Sequence, residues 1–226
     1  MLLHVPKLFS ADEVRAMRDQ LEGADWQDGR ITAGNRAALV KHNLQLPLDH
    51  AVARDLGARI VDRLGQTPLF IAATLPLRVL PPRFNRYEGG GSYGAHIDNA
   101  IFPIPGTTER VRSDISATVF LSDPADYDGG ELVIEGTLGA ERVKHAAGDL
   151  IVYPGSTLHH VTPVTRGTRY AAFFWTQSLV RADEQRRTLF DLDTAIQSLS
   201  VDHPDHRAID ALTGVYHNLL RHWAET

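Results

Sequence analysis

Apolar residues recur along this chain with two different periods. Near the start, Ser10 is followed three residues later by Glu13, a reciprocal capping pair, and Val14, Met17 and Leu21 then fall on one helical face. A second stripe of Val52, Leu56, Ile60 and Leu64 runs through DHAVARDLGARIVDRLGQ, with Asp49 as the expected N-cap. The proline-rich TPLF and TLPLRVLPPRF that follow predict a departure from helix.

From about residue 80 to residue 177 the texture changes. Short runs such as RFNRYEGG, GAHID, SATVFLSD, GGELVIEG, LIVYP and RYAAFFWTQS alternate with glycine and proline turns. DYDGGEL and TRGT sit where hairpin turns belong. Helical spacing returns after residue 181. Leu189, Leu192 and Ile196 mark one helix; Ile209, Leu212, Val215, Leu219 and Trp223 mark another, both expected to pack on the β-core. The pattern predicts a mainly β protein with flanking helices, its core a sandwich or small barrel of short strands. Residues 1–78 read as an N-terminal elaboration, 79–177 as the core and 178–226 as a C-terminal helical extension. The segment 99–114, NAIFPIPGTTERVRSD, reads as a long loop facing substrate or forming a lid.

Composition narrows the chemistry. A chain of 226 residues with 43% hydrophobic positions can bury a core unaided, so a metal here serves function rather than folding. There is no cysteine, which removes disulfides, thiolate metal sites and cysteine nucleophiles and leaves histidine and carboxylate as ligands. A net charge of −5 without a basic run argues against a nucleic-acid partner. The N-terminus lacks the features of a signal peptide, and no apolar run approaches spanning length. The expectation is a soluble cytoplasmic protein with no membrane partner. Its oligomeric state is left open, since the apolar C-terminal helices suit a dimer as well as a core.

Within YGAHIDNA, His96 and Asp98 are two residues apart and share one face if the segment is a strand. Alone, so short a pattern also suits a polar strand edge. A histidine on a later strand, in YPGSTLHHVTPVTRGTRY, changes the weighing. Two histidines and a carboxylate make the facial triad of non-haem iron(II) oxygenases, which leaves metal positions open for a chelating 2-oxo acid and dioxygen. His159 and His160 are both candidates, and adjacent strand residues point to opposite faces, so only one can serve. Arg169, across the TRG turn, can hold a carboxylate through two parallel hydrogen bonds; Arg166, in the turn itself, reads as solvated. Tyr87, Tyr93, Ser116 and Thr118 are candidate lining residues. Asp126 and Asp128 read as turn formers, Glu131 as a solvated charge, Trp175 as core, and the remaining histidines, His4 and His145 among them, as structural or surface residues.

The segments FNRYEGGGSYGAHIDNA, RSDISATVFLSDPADYDGGELVI, GDLIVYPGSTLHHVTPVTRGTRYAAFFWTQS and YHNLLRHW resemble the 2-oxoglutarate/iron(II) dioxygenases, specifically the bacterial PKHD-type hydroxylases. The similarity runs nearly end to end. It implies a double-stranded β-helix (jelly roll) and an iron(II) site of His96, Asp98 and His159. The family's histidine stands one variable residue before VTPV, which selects His159 over His160. Arg169 is then the 2-oxoglutarate anchor, L-ascorbate a helper reductant, and bacterial iron uptake a loose context. The implied reaction hydroxylates an unactivated C–H bond of a peptide, amino acid or small molecule with dioxygen, while 2-oxoglutarate goes to succinate. The carboxylate of Asp98 favours hydroxylation over halogenation; epimerisation, desaturation and ring closure use the same triad. The rival reading is a cupin-like metal-binding jelly roll, an isomerase or a sensor, which needs no Arg169.

Overall fold

The computed structural model of the protein describes residues 1–32, 38–104, 106–136 and 139–226. The N-terminal part runs β1 (Leu3–Val5), α1 (Ala11–Glu22), β2 (Gln27–Asp28), β3 (Lys41–His42), β4 (Leu44–Gln45), α2 (Ala51–Gly65), α3 (Pro68–Thr74) and β5 (Pro76–Val79). Next come β6 (Arg83–Glu88), β7 (Ser92–His96), β8 (Ile101–Pro103), β9 (Arg110–Arg112), β10 (Ile115–Phe120), β11 (Asp128–Gly129) and β12 (Leu132–Gly136). The chain closes with β13 (Gly139–Val143), β14 (Leu150–Pro154), β15 (His159–Val161), β16 (Val164–Arg166), β17 (Thr168–Ser178), α4 (Asp183–Asp202) and α5 (Ala208–Trp223).

Two antiparallel sheets carry the architecture. The larger has the order β1-β14-β10-β17-β6-β4-β2, with β5 added beside β17; the smaller has the order β13-β12-β15-β7-β3. The central strand β17 shows why the layers form. Its side chains alternate, so Tyr170, Ala172 and Phe174 leave one face and Arg169, Ala171, Phe173 and Trp175 the other. The first set packs with Val14, Met17 and Leu21 of α1 and Leu56, Ile60 and Leu64 of α2 in the main core. The helices therefore cover the outer face of the larger sheet. Between the sheets, Tyr87, Phe120, Ile151 and Tyr153 meet Leu132, Ile134, Val143 and Val161 in a second core that closes one end of the jelly roll. The other end stays open as a cleft.

Helix α1 begins as its capping pair predicts. The Ser10 amide donates to the Glu13 carboxylate at 2.8 Å and the Glu13 amide donates to Ser10 Oγ at 3.3 Å. Three local expectations differ. The cap of α2 is His50, whose Nδ1 accepts from the Val52 amide at 3.2 Å, rather than Asp49. TPLF does not leave helix: it opens α3 with Pro68 in the first turn, where a missing N–H costs nothing. The segment 99–114 is largely a hairpin, β8 against β9, with Pro105 outside the described residues. The C-terminal helices form, but their contacts are with the chain around α3 and the end of β17. Leu189 is buried with Leu75 and Val180, while Tyr216, Leu219, Leu220 and Trp223 pack around them.

Candidate metal centre

Strand pairing brings the two histidines together. β15 lies antiparallel to β7, and His159 and His96 are direct register partners. Their rings stand 4.3 Å apart, centroid to centroid. Asp98, two residues beyond His96, places its carboxylate 3.8 Å from His96 Nε2 with one oxygen and 3.8 Å from His159 Nε2 with the other. One ligand atom from each residue lies within 4.8 Å of the other two. All three side chains are nearly buried.

Hydrogen bonds set the tautomers. His96 Nδ1 donates to the Gly94 carbonyl at 2.8 Å and His159 Nδ1 donates to the Thr157 carbonyl at 3.0 Å. A carbonyl can only accept, so both imidazoles carry a proton on Nδ1 and turn Nε2 toward Asp98. Burial, then the neighbouring His159, push the His96 pKa down to about 4, so the ring is neutral, the form that can ligate a metal. Ser116 Oγ donates to Asp98 at 2.6 Å and fixes the carboxylate. Two nitrogen donors and one oxygen donor, held on one side of a point, fit an iron(II) ion. His160, the next residue, pairs with Val133 and takes no part in the cluster. If Asp98 is a metal ligand, Ser116→Ala is expected to weaken iron(II) affinity by about 10–100-fold, because its hydrogen-bond partner is lost while the carboxylate stays. An anaerobic iron(II) titration of the variant reads this directly.

A cleft opens over these residues. At its closed end lies Arg169, 2% exposed. Its guanidinium sits 5.3 Å from the Tyr87 ring centroid and 5.7 Å from that of Phe120, and its Nε has no hydrogen-bond partner. Among the described residues no carboxylate lies within ion-pair distance of it. An unpaired buried guanidinium is costly unless a ligand completes it. The double glycine of DYDGGEL belongs to the same corner. A Cβ on Gly130, at φ +63°, would stand 3.0 Å from the Arg169 stem and 2.9 Å from the Tyr127 ring, so only glycine lets that backbone close over the arginine. Arg166 behaves as expected of a turn residue, exposed and paired with Asp128 at 2.8 Å.

The other candidates sort by parity. Tyr87, Tyr93, Ser116 and Thr118 all line the cleft. Trp175 lines it too, stacked on Phe102 at 4.0 Å, so it is a cleft wall and not only core. Glu131 is paired with Arg142 at 2.7 Å. Sequence reasoning passed over Lys41, Arg83, Asn85 and Tyr153, which also line the cleft. Arg83 and Asn85 were within reach: they precede Tyr87 by four and two residues on one strand and so share its face. Lys41 and Tyr153 carry no such local signal. A second cluster, His4, His145 and Asp149, also gathers ligand-type atoms. There His4 is spent on Asp149 at 2.8 Å and the two imidazoles stack face to face at 3.8 Å, presenting rings rather than lone pairs to each other.

A family model described as the 2OG-Fe(II) oxygenase superfamily matches residues 82–177, and one described as the PKHD-type hydroxylase C-terminal domain matches residues 183–225. A PKHD-type hydroxylase of Delftia acidovorans is 64% identical over 225 residues and one of Pseudomonas putida 59%, each covering all of both chains. The chain belongs to the PKHD-type hydroxylase family. As a PKHD-type hydroxylase it is an iron(II)- and 2-oxoglutarate-dependent oxygenase. Solved structures share the fold at low identity. A Pseudomonas putida prolyl-4-hydroxylase matches 78% of this chain and 92% of its own, with a TM-score of 0.52 at 21% identity. HygX from Streptomyces hygroscopicus, crystallised with nickel, 2-oxoglutarate and hygromycin B, matches 79% and 84% with a TM-score of 0.54 at 19% identity. Among the described residues of this PKHD-type hydroxylase, no helix is long and apolar enough to cross a membrane.

Proposed function

We propose that His96, Asp98 and His159 hold iron(II) on one face and that Arg169 receives the distal carboxylate of 2-oxoglutarate, so that the protein hydroxylates a C–H bond of a peptide, amino acid or small molecule. The observation that carries this is the pairing of two features in one cleft: Nε2 and carboxylate atoms converging with their tautomers set, and a buried arginine without a carboxylate. Iron(II) and 2-oxoglutarate bound there supply dioxygen reduction coupled to decarboxylation, which delivers one oxygen atom to the substrate and leaves succinate and CO2.

The chain's own residues do the rest. The Gly94 and Thr157 carbonyls fix the Nδ1–H of each imidazole and aim its Nε2, and Ser116 keeps the Asp98 carboxylate turned toward them. Arg169 sets where the co-substrate ends, with Tyr87 beneath it as a flat support. Burial raises the Tyr87 and Tyr153 pKa values, so both stay neutral hydrogen-bonding groups on the cleft wall. The apolar layer around Leu132, Val161 and Phe120 excludes water from the closed end. In this reading residues 79–177 are the catalytic core, flanked by 1–78 and 178–226; L-ascorbate acts as helper reductant, and the reaction belongs to the cytoplasm.

The test is an anaerobic titration of the protein with iron(II) and 2-oxoglutarate, watched for the visible metal-to-ligand charge-transfer band. The band is expected in the wild-type protein. Its absence with iron bound would favour the cupin-like alternative and remove the co-substrate from the site.

A further inference from the structure

The cleft has a second cationic end. On β6, Arg83, Asn85 and Tyr87 share the face that looks into the cleft. Register pairs Tyr87 with Arg169 and Arg83 with Phe173, so the two arginines stand on neighbouring strands, on one face, four residues apart. That separation is about 13 Å along the strand. The Arg83 guanidinium leans further away still. It lies 5.2 Å from the Trp175 ring centroid and 5.8 Å from that of Phe102. Trp175 is two residues beyond Phe173 on β17, on the side away from Arg169. A five-carbon diacid with one end on Arg169 and the other on the metal triad leaves Arg83 untouched.

Arg83 is half-buried, and among the described residues its side chain donates no hydrogen bond and makes no ion pair. Both rings flank the guanidinium on one side, and its N–H donors are unused among the described residues. If packing alone were required, an apolar side chain would fill the same place without the desolvation cost. Burial lowers the Arg83 pKa, and only the charge of Asp98 opposes it. Lys41, on β3 of the other sheet, adds a second cation. Its Nζ donates to Gln45 at 2.8 Å and sits 5.3 Å from the Tyr93 ring centroid, and burial and then Arg83 push its pKa down to about 8.

Charge balance points the same way. Lys41, Arg83 and Arg169 line the cleft against the single carboxylate of Asp98. Iron(II) adds two positive charges and the 2-oxoglutarate dianion removes two. With iron(II) and 2-oxoglutarate bound, the Arg83 guanidinium keeps its positive charge at the end away from Arg169. A neutral substrate would leave that charge buried and uncompensated; an anion completes it.

We propose that the substrate is a carboxylic acid, its carboxylate received by the edge of the Arg83 guanidinium and its apolar part lying on Phe102 and Trp175, beside the metal triad. The assignment rests on the metal and co-substrate reading above. Lys41 flanks the same carboxylate from the opposite sheet.

The experiment uses the full chain loaded with iron(II) and 2-oxoglutarate without oxygen. The probes are matched acids and amides: N-acetyl-L-proline with N-acetyl-L-prolinamide, and phenylacetate with phenylacetamide. Binding is read as a shift of the charge-transfer band. The acids are expected to bind about tenfold or more tighter than their amides, as a charge-assisted contact requires. Arg83→Met should bring that ratio to about one, and Arg83→Lys should keep part of it, since the charge remains and the fork is lost. Acids that bind no better than amides, or a preference that survives Arg83→Met, would overturn the assignment. So would a loss of 2-oxoglutarate affinity in Arg83→Met as large as in Arg169→Ala, which would place Arg83 at the co-substrate. A wild-type protein that binds iron but shows no band fails at the earlier step, and the failure then belongs to the co-substrate reading.

Discussion

His159→Ala is expected to abolish stable iron(II) binding and, with it, turnover of 2-oxoglutarate. Three ligand atoms within 4.8 Å of one another make the smallest set that holds an ion on one face. Removing one leaves a two-point site open to water. The loss should exceed the roughly 10–100-fold that follows loss of an outer-shell partner, because here the metal bond itself goes. Folding should survive. His159 sits at the rim of the inter-sheet core, and among the described residues its imidazole hydrogen-bonds only the Thr157 carbonyl, so the strand pairing of β15 with β7 and β12 does not depend on it. The neighbouring residue supplies the control. His160 pairs with Val133 and is absent from the ligand cluster, so His160→Ala should keep iron(II) binding while removing a similar volume from the same strand. Iron analysis and a calorimetric melt of both variants check this. Equal iron content in His159→Ala and wild type would sink the ligand assignment.

The comparison of these two histidines shows what a linear sequence carries and what it does not. That one of them turns inward follows from the two-residue period of a strand. Which one depends on the register of β15 against β7, a non-local fact, and only the resemblance to a family spoke to it beforehand. The chain's helices and strands were legible where a period was long or a cap was reciprocal, as at Ser10 and Glu13. α3 was missed because Pro68 reads as a helix breaker unless one knows that it stands in the first turn. The hairpin of β8 and β9 was missed because its strands are three residues each and gain their order from Phe102 resting on Trp175. Lys41 was missed for a related reason. It reaches the cleft only because β3 adds to the edge of the smaller sheet beside β7, and nothing near it in sequence announces that pairing.

Arg169→Met separates binding from folding at the other end of the cleft. The guanidinium is buried against Tyr87 and Phe120 with its Nε unpartnered, so in the protein without co-substrate it is a desolvated charge. Methionine keeps the unbranched apolar stem and removes that charge. The unloaded variant should therefore melt no lower than wild type, since replacing buried charge by apolar volume is often neutral or stabilising. With 2-oxoglutarate the order should reverse. Truncating one partner of a buried charge pair costs about 2–5 kcal/mol, which corresponds to at least a roughly 30-fold rise in the KM for 2-oxoglutarate. Wild type should gain thermal stability as 2-oxoglutarate is added in the presence of iron(II), by RT ln(1 + [L]/Kd), and the variant should gain little at the same concentration. Arg169→Lys should fall between, because it restores a point charge without the planar fork. Two melts, with and without 2-oxoglutarate, then distinguish an anchor from a structural cation. A structural cation would lower the melt of the unloaded variant and leave the ligand-induced gain intact; an anchor predicts the opposite in both.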